Sequence, residues 1–185
     1  MLPLISDEYG LSNTVSGTLL SAHSLGNLTA GFLAGILPVY LGRKKAIIFL
    51  CSFVVVGFAI MIMTGNPVLL ILGFLFTGIS RGSISNFNNS VVNEVSDSSP
   101  AALSFLHSIF AVGALSAPFL VIFSTRLFGL SGWKVAAGII IVLALVSMVL
   151  FSRMKLSDSA VKNKNATSYT FLKLNKTFCN NKNDN

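Results

Sequence analysis

The sequence predicts an all-α membrane protein with five transmembrane helices, and three observations predict it. Of 185 residues, 53% are hydrophobic and only 10% are charged, whereas an average soluble domain carries about 25% charged residues. With 13 basic and 6 acidic side chains and a mean hydropathy of +0.77, the chain cannot cover a soluble surface of its size. The apolar residues also gather into five runs, each close to the roughly 20 residues that cross a hydrocarbon core about 30 Å thick. Helices follow from the solvent, because lipid offers no partner to an unpaired backbone amide.

The elements follow in order. Residues 1–12 are expected to form an external segment. In it Met1 to Ile5 reads as the last turn of an apolar helix whose remainder is missing, and Ser6-Asp7-Glu8 as a polar outer loop. Met1-Leu2-Pro3-Leu4 has no basic stretch, so no cleavable signal peptide is expected. The transmembrane region is expected over 13–152, with spans at 13–37, 46–64, 67–92, 101–125 and 133–151. Ser12 or Asn13 supplies an N-cap for the first. The connections are Pro38 to Lys45, Gly65-Asn66, Asn93 to Pro100 and Arg126 to Gly132. From 153 to 185 the composition turns to Asn, Lys, Ser and Thr without apolar period, which predicts a disordered tail.

The basic residues orient the helices. The net charge of +7 is concentrated at the ends of apolar runs and in the tail, and is not interleaved with aromatics on a compact surface. The pattern therefore points to a membrane and away from nucleic acid. Arg43, Lys44 and Lys45 sit in the first connection, and seven bases from Arg153 to Lys182 in the tail. Cytoplasmic segments carry such an excess. This predicts a multi-pass protein of the inner or plasma membrane, N-terminus outside and C-terminus cytoplasmic. The connection with Glu94 and Asp97 has no base, but acids weigh little in that rule. On a cytoplasmic tail, the sequons at Asn165 and Asn175 are chance matches. Cys51 lies in an apolar run and Cys179 in the polar tail, so no disulfide and no metal-ligand spacing is expected.

The spans differ in polarity. The second and fifth are apolar all round, as in Phe53-Val54-Val55-Val56 and Ile139-Ile140-Ile141-Val142, and suit a lipid-facing rim. In the first, Ala22, Gly26, Ala30 and Ala34 recur every four residues beside a line of His23, Asn27, Gly31 and Gly35. Small residues at that spacing let helix backbones approach closely. In the third, Gly78, Arg81, Gly82, Ser85, Asn88 and Asn89 share one helical face. An arginine at the bilayer centre costs about 2.5–3.5 kcal/mol on insertion scales, so Arg81 must face a partner or a watered cavity. In the fourth, Ser104, His107, Ser108, Ala111, Ala114 and Pro118 share a broad face. There His107 reads either as a cavity ligand or proton carrier, or as a donor packed between helices.

Two stretches carry a family resemblance. Gly35-Ile36-Leu37-Pro38-Val39-Tyr40-Leu41-Gly42-Arg43-Lys44-Lys45 resembles the loop signature of the major facilitator superfamily at Gly35, Gly42, Arg43 and Lys44. Val39 stands where the family usually has Asp and Tyr40 where it often has Arg, so no charge-relay acid is carried over. The run from Gly78 to Pro118 is similar to the fucose/glucose–proton symporter branch, matching at Asn89, His107, Phe110 and Gly113, with Ser80 in place of a common glycine. The resemblance covers roughly residues 3–153 and implies a major-facilitator-type bundle in which the five spans are helices two to six. Helices three and six are peripheral in that family, and one and four line the cavity. Helix one and the C-terminal half would be missing partners of this chain.

The resemblance implies alternating-access transport of a small polar solute, a sugar being the expectation, with possible coupling to protons. Arg81, Ser85, Asn89 and His107 are then substrate-binding, and Gly35, Gly42, Arg43 and Lys44 form a cytoplasmic gating loop. No carboxylate lies well inside a span, so a coupling acid would belong to the missing helix, or the protein is a facilitator. The alternatives are a drug or metabolite exporter of the same superfamily and a non-transporting membrane scaffold. No paired carboxylates, Ser/His/Asp arrangement, metal cluster or phosphate loop stands at suitable spacing, so neither an enzyme nor a bound cofactor is expected.

Overall fold

The computed structural model describes residues 1–153. It is helical, without strands among the described residues. The helices are α1 (Leu2–Tyr9), α2 (Asn13–Leu41), α3 (Arg43–Met63), α4 (Pro67–Val95), α5 (Pro100–Phe128) and α6 (Gly132–Arg153), and a 3₁₀ turn at Gly129–Ser131 joins the last two. By length and composition, α2, α3, α4 and the α5–α6 run can cross a membrane. The last run covers 54 residues and holds two helices, which accounts for five spans.

Local chemistry sets the helix starts. Ser12 Oγ accepts from the Val15 amide at 3.3 Å, an N-cap that satisfies one orphan donor. Asn66 Oδ1 accepts from the Val68 amide at 3.0 Å, with Pro67 in the first turn where its missing N–H costs nothing. Gly10, at φ 61° and ψ 38°, ends α1 in the left-handed conformation that glycine adopts freely.

Several boundaries differ from the sequence reading. Ser6, Asp7 and Glu8 are helical and belong to α1, not to an outer loop. The expected connection from Pro38 to Lys45 shrinks to Gly42 alone: α2 runs through Pro38 to Leu41, and α3 begins at Arg43. Gly42, at φ 79° and ψ 153°, makes the whole turn, in a region of backbone space that side chains avoid. Arg153 is the last residue of α6, not the first of a tail. The tail with its sequons and Cys179 lies outside the described residues.

α4 is the centre of the bundle, packing on α2 along one flank and on α3 along the other. Both contacts are made by glycine. A Cβ on Gly78 would stand 2.1 Å from the His23 carbonyl oxygen, and one on Gly26 would stand 2.3 Å from that of Leu75. On the other flank, a Cβ on Gly57 would lie 2.7 Å from the Gly73 carbonyl oxygen. Ala22 and Ala30 are buried with Gly26, as the four-residue spacing predicts. Their neighbours Gly31 and Gly35 meet nothing within 4 Å. α6 packs against α3, and α5 leans on α6 and on the far end of α4. One apolar cluster, with Leu19, Met61, Leu70, Phe74 and Trp133, fills the end where α1 sits. A second, with Ala46, Ile47, Leu50, Cys51 and Phe87, fills the other.

Candidate functional site

The polar face read from α4 is divided in two by the packing. Gly78 and Gly82 are buried against α2, where a Cβ on Gly82 would meet the Asn27 Oδ1 at 2.6 Å. They are packing residues. Arg81 and Ser85 are exposed, and Asn88 and Asn89 half-buried. The glycine edge thus brings α2 into contact and leaves the polar edge open beside it.

Asn89 and His107 are brought together. An open cleft of about 450 Å³ between the end of α4 and the start of α5 is lined by Asn89, Ser90, Asn93, Glu94, Ser98, Leu103 and His107. The turn that shapes it is strained: Asp97 and Ser98 both have positive φ, 49° and 64°, which costs a residue with a Cβ about 1–2 kcal/mol. The Ser98 amide donates to the Asn93 carbonyl at 2.8 Å and holds the turn closed. His107 is exposed and lines this cleft from α5. Arg81 and Ser85 lie further along α4 and do not line this cleft.

Arg43 and Lys44, expected from the sequence in a gating loop, lie at the same end. Arg43 is 3% exposed and forms an ion pair with Glu94, while its Nη2 donates to Ser90 Oγ at 3.3 Å. Glu94 and Ser90 also line the cleft, so the start of α3 is tied to the α4 wall of the cleft that Asn89 and His107 line. Gly35 and Lys44 are exposed. The pairing role of Glu94 is not visible in the sequence. The signal was its place in an otherwise uncharged helix end, but its partner is 51 residues away.

The opposite end carries polar contacts that no local sequence pattern signals. Glu8 accepts a hydrogen bond from Trp133 Nε1 and pairs with Lys134 at 2.6 Å. The Tyr9 ring meets Trp133 edge-on with centroids 6.2 Å apart, and its hydroxyl donates to the Met61 carbonyl at 3.0 Å. These contacts hold α1 to α3 and α6. Lys134, hydrogen-bonded to Glu8, holds the Glu8 carboxyl below its ordinary 4.5, with Trp133 adding to the effect. His23 is also a structural residue: its Nδ1 lies 3.3 Å from both the Phe74 carbonyl and Thr77 Oγ1, bridging α2 to α4.

The chain is similar to an "MFS-type transporter criB" of Aspergillus cristatus, 38% identical over 78 residues. That stretch is 42% of this chain and 17% of the relative's length. No solved structure matches. The family model of the Major Facilitator Superfamily matches residues 1–182, nearly the whole chain and all five apolar helices, and the protein belongs to that superfamily.

Proposed function

We propose that the protein takes part in moving a small polar solute across the membrane by alternating access, with the polar edge of α4 and the start of α5 contributing the substrate contacts. One observation carries this reading: α4 is packed by glycine on two flanks, yet keeps Arg81 and Ser85 exposed and Asn88 and Asn89 only half-buried along one edge. Polar groups inside a span are costly unless they face protein or a watered cavity. Asparagine and serine side chains there suit the hydroxyls of a sugar. His107 lines the same cleft as Asn89, which supports its use as a further hydrogen-bonding or proton-carrying group. Coupling to protons would use a carboxylate from helices other than these.

Arg43 and Lys44 belong to the cytoplasmic end in this reading. Arg43, Lys44, Lys45 and Arg153 share that end, against Arg126 and the Glu8-paired Lys134 at the other, a bias that puts the N-terminus outside. The Arg43–Glu94 pair then ties the turn at Gly42 to the substrate cleft.

The test is uptake of labelled hexoses by the full-length protein with Asn89→Ala. A drop of about tenfold, corresponding to one lost hydrogen bond of about 1.4 kcal/mol, is expected; unchanged uptake would remove Asn89 from the site. A second reading, export of an apolar drug or metabolite, is favoured by the exposed aromatic face of α5 with Phe105, Phe119 and Phe123. Efflux of a hydrophobic dye that is indifferent to Asn89→Ala would select it.

A further inference from the structure

Arg81 is the middle residue of the 29 in α4. It is exposed, and no hydrogen bond or ion pair engages it among the described residues. Each of the four acids in residues 1–153 stands at or beyond a helix end. Glu8 is held by Lys134 and Glu94 by Arg43, while Asp7 lies in α1 and Asp97 in the α4–α5 turn. Glu94 is roughly 20 Å from Arg81 along the helix axis. His23, within electrostatic range of Arg81, is neutral or positive and supplies no counter-charge. A lipid headgroup is about 15 Å from the centre of a 30 Å core, too far for one arginine side chain. Yet a guanidinium at that depth needs an anion or water.

Resting on the cavity reading above, the geometry points to a solute that brings the anion itself: a hydroxylated monocarboxylate such as a sugar acid, its carboxylate on Arg81 and its hydroxyls on Ser85, Asn88 and Asn89. A guanidinium binds a carboxylate through two parallel hydrogen bonds. Ser85, Asn88 and Asn89 follow at about 6, 10 and 12 Å along the same edge, the span of a six-carbon solute and its flanking contacts. The charge selects a monoanion, because the other bases of residues 1–153 sit at helix ends.

The experiment compares calorimetric binding of a hexuronate and the matching neutral hexose to the purified full-length protein. The hexuronate is expected to bind at least tenfold more tightly. Arg81→Gln erases that preference, and Arg81→Lys keeps part of it, retaining charge without the planar fork. Each variant is first checked for a monodisperse folded species. Equal binding of both solutes, still weakened by Asn89→Ala, would overturn the acid while leaving the cavity in place. Binding that answers to neither Arg81 nor Asn89 would overturn the cavity, and the acid with it. Loss of folded protein in Arg81→Gln, restored in Arg81→Lys with no preference for the acid, would make Arg81 the partner of a carboxylate elsewhere in the protein and also overturn it.

Discussion

Glu94 shows why a residue can be visible in the sequence and its role invisible. Its acid stands in a connection that charge bias assigns to the cytoplasm, and only the fold places the buried Arg43 against it. Breaking such a pair strands a charge, which is why both partners are needed. Glu8 is the equivalent at the other end, and it titrates. Because Lys134 and Trp133 hold its carboxyl below 4.5, the ionised form is the one the folded state favours. Its contribution to stability is therefore present above pH 4.5 and lost as pH falls through the lowered folded value. The chain has a single tryptophan, and it is the residue that Glu8 touches. An acid titration followed by Trp133 fluorescence is expected to show a transition below pH 4.5 that Glu8→Gln abolishes.

At the scale of the element, glycine decides what each helix face does. The repeated small residues of α2 announced close packing, and the buried line is the one holding Ala22, Gly26 and Ala30. Nothing local separates that line from Gly31 and Gly35, which meet open space. The same ambiguity runs along α4, where Gly78 and Gly82 read as part of a polar face and serve as the seat of α2. Gly78→Ala would press a methyl to 2.1 Å from the His23 carbonyl oxygen, a backbone atom that cannot swing away. A loss of about 3 kcal/mol, at the upper end for overpacking, is expected in thermal unfolding of the purified protein. Gly31→Ala should be neutral or slightly stabilising in the same assay, since alanine favours helix by about 1 kcal/mol.

For the whole molecule, the two ends carry different chemistry. One has the Gly42 turn, the Arg43–Glu94 pair and exposed Lys44; the other has Glu8, Tyr9, Trp133 and Lys134. The charge bias predicts which faces the cytoplasm. In a Cys179→Ser background, Lys44→Cys should react with an impermeant maleimide only in inside-out vesicles, and Ser12→Cys only in right-side-out ones. The reverse pattern would invert the topology. The sequence by itself determined the five apolar helices, because hydrocarbon leaves the backbone no alternative to internal hydrogen bonding and composition reports the solvent directly. It also located the polar edge of α4, since 3.6-residue periodicity is a local property. Tertiary structure alone decided which glycines face a neighbouring backbone, that Glu94 neutralises Arg43, and that Asn89 and His107 share a cleft while Arg81 stands apart from it. Those are matters of how helices cross, set by contacts between residues far apart in the chain, and no local pattern encodes them.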